Sequence, residues 1–346
     1  MNPCRGRSIC GMRLSSYERW VKLSKFKVVV TDYVFSNLDP EKEVLSPVDA
    51  EVVAGQSKTP EEVIELVKGA DAVLNTYYGP IDGAVMDAMP DCRIIVRYGI
   101  GVDTIDIAAA TQRGIMVANV PDYCIDEVSD HALAMMLTLL RKLPVGDKAI
   151  RNDNWKLGVL KPMRRINTLT VGIIGMGRIG KAITSKVAAF GPKIVFFDPY
   201  FKGEIAAKEV DLPTLLKTSD AIIVQAPATP ETKHILNAEA FAMMESKPVI
   251  INCARGELIE TEALIEALEK GLISGAGLDV IENAPPFPTD SPLFKFDNVI
   301  LAPHSAWFSE EALQSLQFLA AQEVARALTG ECPKALLNPD ALKNRK

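Results

Sequence analysis

Val171-Gly-Ile-Ile-Gly-Met-Gly-Arg-Ile-Gly180 places Gly175, Gly177 and Gly180 in a G-x-G-x-x-G spacing, directly after a β-branched run and at the start of a helical pattern. Each glycine has a physical task. Gly175 permits the tight turn, Gly177 lets the backbone approach a pyrophosphate, and Gly180 lets helix and strand pack closely, with the helix N-terminus facing the anion. Gly175, Met176, Gly177, Arg178 and Ile179 therefore form a candidate phosphate-facing loop. A glycine triplet alone is weak, but here the next apolar run, Lys193–Phe197, ends in Asp198, 18 residues after Gly180. An acid there accepts hydrogen bonds from a ribose 2′-OH and repels a 2′-phosphate. The neighbours Pro199 and Tyr200 supply no arginine for a 2′-phosphate. A plain glycine turn would explain the triplet, but not the order strand, turn, helix, strand, acid. The motif predicts a Rossmann-type domain that binds NAD.

Outward from this stretch, short apolar runs alternate with helical patterns. Thr170–Ile174, Lys193–Phe197, Ala221–Val224, Val249–Asn252, Gly275–Asp279 and Val299–Leu301 read as buried strands. An earlier series, Lys27–Thr31, Ala72–Asn75, Ile94–Val96 and Met116–Ala118, alternates with helices predicted over Pro60–Lys68, Asp82–Met89 and Ile105–Arg113. Such βαβ alternation favours parallel sheets covered on both faces, so the fold class is α/β with two doubly wound domains. Between the two series, Asp126–Lys142 predicts a helix apolar on most faces, suited to a domain junction. Asn152–Asn167 reads as a connector. The last helix is predicted over Glu310–Thr329, with only a short tail after it.

The bulk numbers agree with two globular domains: 346 residues, 48% hydrophobic and 24% charged. A net charge of −6 gives no reason to expect nucleic acid as a partner. No apolar run approaches the ~18 residues that a bilayer span needs, so no membrane is expected. Residues 1–26 carry six basic side chains and no continuous apolar segment, and read as a disordered basic extension, with Met12 as a rival start. The six cysteines form no C-x-x-C pair. Neither a metal site nor a disulfide framework is indicated, and a reducing cytoplasm is the expected compartment.

Few side chains can shuttle a proton near neutral pH, because the chain holds only three histidines. His131 lies within the apolar helix and reads as a satisfied structural residue. His234, among polar residues, reads as a surface or capping residue. His304 follows the Val299–Leu301 run, at the strand end where open α/β sheets bind ligands. Arg255, in Asn-Cys-Ala-Arg-Gly, has an equivalent position and could hold a carboxylate bidentately while polarising a ketone. The segment Arg97-Tyr-Gly-Ile-Gly-Val-Asp103 could present backbone N–H groups to an anion, or be a plain strand-to-helix turn.

These motifs, in this order, resemble the D-2-hydroxyacid dehydrogenase family over nearly all of residues 27–340. Val-Arg-Tyr-Gly-Ile-Gly-Val-Asp and Pro-His-Ser-Ala-Trp-Phe-Ser-Glu-Glu-Ala resemble its C-terminal binding protein branch most closely. The resemblance implies a flavodoxin-like substrate domain from 27–125 plus 305–346. An NAD-binding domain, 126–304, would be inserted in it, with the active site in the cleft and a homodimer as the assembly. By position it makes Arg255 the anchor of substrate carboxylate and carbonyl, and His304 the acid/base. Asp279 would bond the nicotinamide carboxamide, while Ala226, Pro227, Thr232, Cys253 and Ala254 would border the cofactor. Ile100 and Gly101 would offer N–H groups to the substrate carboxylate, with Tyr77, Arg97 and Trp307 lining the pocket.

One position departs from the family. The glutamate expected five residues after Asp279, which pairs with the histidine and keeps it protonated for ketone reduction, is Ala284 here. Glu282, two residues earlier, would share the face of position 284 in an extended segment and could replace it. The reading that follows is hydride transfer between NAD(H) and C2 of a small 2-hydroxy or 2-keto acid. Two alternatives remain: lyase or isomerase chemistry with retained NAD, raised by Ala284, and an NAD(H)-sensing corepressor-like binding protein.

Overall fold

The computed structural model describes residues 26–77 and 81–344. The basic extension, apart from Phe26, lies outside the described residues. Twelve strands among those described form two sheets, and every ladder pairing within them is parallel.

The first compact unit runs to Tyr123 and resumes at Leu313. Its strands are β1 (Phe26–Val30), β2 (Ala50–Ala54), β3 (Ala72–Asn75), β4 (Ile94–Arg97) and β5 (Met116–Ala118), in the order β2-β1-β3-β4-β5. That order is the flavodoxin-like doubly wound arrangement. The central runs VVV, AVLN and IIV are fully buried because helices cover both faces. The segment after the helix Glu310–Thr329 is tied down. Asn338 is buried, accepts from the Val117 N–H at 2.7 Å, and donates to the Ile115 carbonyl at 2.9 Å.

The second unit spans Cys124–Ala312. Its strands are β6 (Thr170–Ile174), β7 (Lys193–Phe197), β8 (Lys208–Glu209), β9 (Ala221–Val224), β10 (Val249–Asn252), β11 (Gly275–Leu278) and β12 (Val299–Leu301). They run β12-β11-β10-β9-β6-β7-β8, the Rossmann order with one further strand. The order reverses between β6 and β9, so the crevice at their carboxyl ends is the topological switch point. The helix Ile125–Leu140 packs on this sheet, and a Cβ at Gly277 would meet Met135 Cβ at 3.0 Å. The bare glycine surface of β11 is what lets that helix approach.

The units differ from the sequence boundaries at the return crossing. The second unit keeps residues 305–312, because the Asp279 carboxylate accepts from the N–H groups of Ser305 at 2.8 Å and Ala306 at 3.0 Å. Unexpected from sequence were β2, β8 and the helices Asp39–Leu45, Leu143–Arg151 and Ala341–Asn344, the last lying where only a short tail was predicted.

Candidate active site

Parallel strands put all their carboxyl ends on one edge, and in the second unit that edge collects the candidate residues. The loop after β6 carries the glycine triplet. Gly175 has φ +95°, and a Cβ there would sit 2.6 Å from the Gln225 carbonyl and 2.7 Å from the Ala226 nitrogen. No L side chain fits, and the glycine brings the loop after β6 against Ala226 and Pro227 after β9. Gly177 caps the helix Arg178–Ala188 without any side-chain cap, and space is open around it. The first-turn N–H groups of that helix are thus presented to an anion at a position a side chain would obstruct.

Asp198, just past β7, closes the cradle. Its Oδ2 accepts from the Met176 N–H at 2.7 Å and its Oδ1 from the Tyr200 N–H at 2.9 Å. Two bonds leave acceptor capacity on a carboxylate, which takes about four, so a ribose diol fits beside it. Thr232 tightens the loop after β9, donating its hydroxyl to the Pro227 carbonyl at 2.6 Å. These features fit a dinucleotide: an open cradle at the switch point, a helix N-terminus, and an acid at the second strand.

Arg255 leaves β10 on a turn built by Asn252. The buried Asn252 side chain accepts from Ala254 N–H at 3.0 Å and donates to the Arg255 carbonyl at 2.8 Å. Cys253 and Ala254 are buried beneath that turn. Burial and the nearby Asp279 charge push the Cys253 thiol far above its usual range, so it is a neutral packing group. Gly256 follows because a Cβ there would fall 2.5 Å from the Glu282 nitrogen.

His304 leaves β12 with φ +53°, a left-handed conformation uncommon for a non-glycine residue. Asp279 holds it there: the Asp279 carbonyl accepts from His304 N–H at 2.9 Å, and the carboxylate takes the next two N–H groups. Arg255, Asp279 and His304 thus follow three adjacent strands, β10, β11 and β12. Strands lie ~4.8 Å apart, so the two outer backbones are about 10 Å apart and their side chains can reach one small molecule. Trp307 follows on the same turn, edge-on to Phe308 at 5.7 Å.

In the first unit, Tyr77, Arg97, Ile100 and Gly101 gather at the carboxyl ends of β3 and β4. The Arg97 guanidinium lies over the Tyr77 ring at 5.4 Å. Asn119 donates to the Ile100 carbonyl at 2.6 Å. The buried Asp32 accepts from the N–H groups of Thr76 at 3.1 Å and Tyr77 at 2.6 Å. Asp32 was not singled out from sequence, although an acid two residues past a VVV run was the available signal.

Three sequence expectations change. Glu282 does not lie in an extended strand: Asn283 has φ +59° and the segment turns, so offset-of-two reasoning fails. The Glu282 carboxylate instead bonds His234 Nε2 at 2.6 Å. His234 is correspondingly half-buried in a hydrogen bond to a carboxylate rather than a surface or capping residue. His131 is not satisfied, because its buried Nε2 has no hydrogen-bond partner. Among the described residues no cluster suits a metal ion, and no helix is long and apolar enough to cross a membrane.

Comparison with known proteins places this architecture. A family model described as D-isomer specific 2-hydroxyacid dehydrogenase, NAD binding domain, matches residues 133–306. A glyoxylate reductase of Thermofilum pendens is 38% identical over 311 residues, covering 85% of this chain and 90% of that protein. The solved TT0316 protein of Thermus thermophilus superposes with TM-score 0.81 at 31% identity, over 90% of this chain and all of that one. An NADPH-dependent glyoxylate/hydroxypyruvate reductase of Sinorhizobium meliloti, solved with NADP and malonate, gives TM-score 0.79 at 29% identity, covering 93% and 99%. The chain belongs to the D-isomer specific 2-hydroxyacid dehydrogenase family. It is an NAD-dependent oxidoreductase that transfers hydride between the nicotinamide and C2 of a 2-hydroxy or 2-keto acid.

Proposed function

We propose that the protein reduces a small 2-keto acid of the glyoxylate class, with Arg255 and His304 as the catalytic residues. The observation that carries this is the placement of Arg255, Asp279 and His304 on adjacent strands of the same sheet whose switch point holds the glycine cradle. Bound NADH supplies the hydride. The chain's own groups do the rest. Arg255 offers a planar fork to the carboxylate and to the keto oxygen, and draws charge onto that oxygen as the C2 centre is reduced. His304 delivers a proton to the developing alkoxide. The first-turn N–H groups after Gly177 bind the pyrophosphate, and Asp198 binds the adenosine ribose and disfavours a 2′-phosphate. Ala226, Pro227, Thr232, Cys253 and Ala254 border the cofactor; Tyr77, Arg97, Ile100, Gly101 and Trp307 serve the substrate.

The relatives named glyoxylate reductase support this reading over retained-cofactor lyase chemistry and over an NAD(H)-sensing binding role. The kinship of the 96–103 and 303–312 segments with the C-terminal binding protein branch is one of sequence. The domain roles follow: 126–304 binds NAD, and 27–125 with the C-terminal segment handles substrate. A homodimer is supported by exposed apolar side chains around the Leu143–Arg151 helix, which has no buried residue: Leu143 (59% exposed), Trp155 (76%) and Leu157 (78%). Cys92, Cys124, Cys253 and Cys332 are free thiols, in keeping with a reducing cytoplasm.

The test is NADH oxidation with a panel of 2-keto acids, glyoxylate first. Turnover with net loss of NADH is expected. Substrate consumption at constant NADH, or tight NADH binding with no turnover across the panel, would overturn it.

A further inference from the structure

His131 stands behind the candidate site without a stated task. It lies on the helix Ile125–Leu140, and its side chain is 29% exposed, yet Nε2 is buried and lacks a hydrogen-bond partner. That nitrogen faces Asp279 Oδ1 at 3.8 Å, and the Asp279 side chain is 1% exposed. The other carboxylates of the helix are engaged elsewhere. Asp126 and Asp130 bind Lys186 at 3.1 and 2.6 Å, and Glu127 accepts from the Ser309 hydroxyl at 2.7 Å. The nearby Cys253 thiol is neutral. Asp279 is thus the acid that this ring edge meets.

Asp279 is also the post on which the His304 turn hangs. Three successive N–H groups, of His304, Ser305 and Ala306, end on it at 2.9, 2.8 and 3.0 Å. The positive φ of His304 persists only because surrounding bonds over-determine it. A buried carboxylate with two backbone donors still gains from a third. A bare imidazole lone pair aimed at it would be repulsive, whereas an N–H would be attractive. A shift of less than about 1 Å brings Nε2 to hydrogen-bond distance.

We propose that His131 is a positioning residue, carrying its proton on Nε2, aiming it at Asp279, and through that carboxylate fixing the turn that presents His304. The proposal rests on the reading that His304 handles the proton. His131 touches neither substrate nor cofactor in this role.

Two measurements on the full chain test it. With only three histidines in the chain, imidazole ¹⁵N resonances are assignable from His131→Gln, His234→Gln and His304→Gln. On the alkaline side of its titration, His131 should be the Nε2–H tautomer; an Nδ1–H tautomer overturns the proposal. In single-turnover reduction of glyoxylate by NADH, His131→Leu should be about 10- to 30-fold slower, less than the ~10²–10⁴-fold that a positioned proton donor itself supplies, because His131 acts only through the turn. NADH affinity and glyoxylate KM should stay within about twofold, and His131→Gln, which restores an N–H near Nε2, should recover most of the rate. A folded His131→Leu protein at wild-type rate, or equal losses in Leu and Gln, would contradict it. If wild type reduces no 2-keto acid, the hydride-transfer reading fails, and the tautomer alone then judges the His131–Asp279 contact.

Discussion

His234 and His304 invite comparison. Both are histidines with left-handed backbones, φ +52° and +53°, on loops of the second unit. His234 has a carboxylate at 2.6 Å, supplied by Glu282 from the loop after β11. His304 belongs to a turn that Asp279 orders, accepting from the N–H groups of His304, Ser305 and Ala306. The loop after β11 therefore gives its side-chain acid to one histidine and its backbone order to the other. At position 284, where the family resemblance puts a carboxylate for the second histidine, the chain has alanine. The lesson is that a nearby acid in sequence is no substitute until its backbone direction is known.

The largest expected effect tests whether Arg255 belongs with His304 at all. Arg255→Lys keeps the charge and loses the fork. With hydrogen bonds to charged groups worth ~1.5–3 kcal/mol each, kcat/KM for glyoxylate should fall about 100-fold or more, at unchanged NADH affinity by fluorescence titration. Normal kcat/KM would remove Arg255 from the site. A smaller effect is expected at the other end of the cradle. Asp198→Ala should narrow the NADH-over-NADPH preference by roughly 10-fold, the scale of one or two hydrogen bonds. Equal NADH and NADPH affinity in wild type would refute the role given to Asp198.

The smallest effect separates the two histidines. Glu282→Gln should leave the pH–rate profile of keto-acid reduction in place and kcat within about threefold, because Glu282 serves His234. It should lower Tm by a few degrees in calorimetry, as loss of ~1 kcal/mol does in a domain of this size. A collapse in rate would instead make Glu282 the partner of His304.

Much of this arrangement was legible in the residues. The glycine triplet and Asp198 predict the cradle because turn, close approach and ribose acid each demand one residue type. β6, β9 and β10 match their apolar runs because both faces are covered, and that produces continuous hydrophobicity; β7 and β12, only partly buried, are still legible from unbroken β-branched and aromatic runs. β2 was hidden because Glu51 and the exposed Ala54 break its apolar run, and β8 because it is two residues long. The Leu143–Arg151 helix was hidden because none of its residues is buried, so no apolar stripe marks it. The pairing of His234 with Glu282 and the contact of His131 with Asp279 cross 48 and 148 positions of chain. No local periodicity encodes such meetings; only strand order does.

The central claim is that His304 carries the proton, with Ala284 at the position where the family resemblance puts a glutamate. Its most direct measurement is the pH–rate profile of NADH-dependent glyoxylate reduction for wild type and Ala284→Glu. A neighbouring carboxylate favours imidazolium and raises a histidine pKa by ~1–3 units. Activity that requires protonated His304 is present below its pKa and lost above it. Ala284→Glu should therefore carry the falling limb of the profile upward by about one unit or more relative to wild type, with the gain in rate clearest on the alkaline side. A folded Ala284→Glu protein with an unchanged limb would contradict the claim.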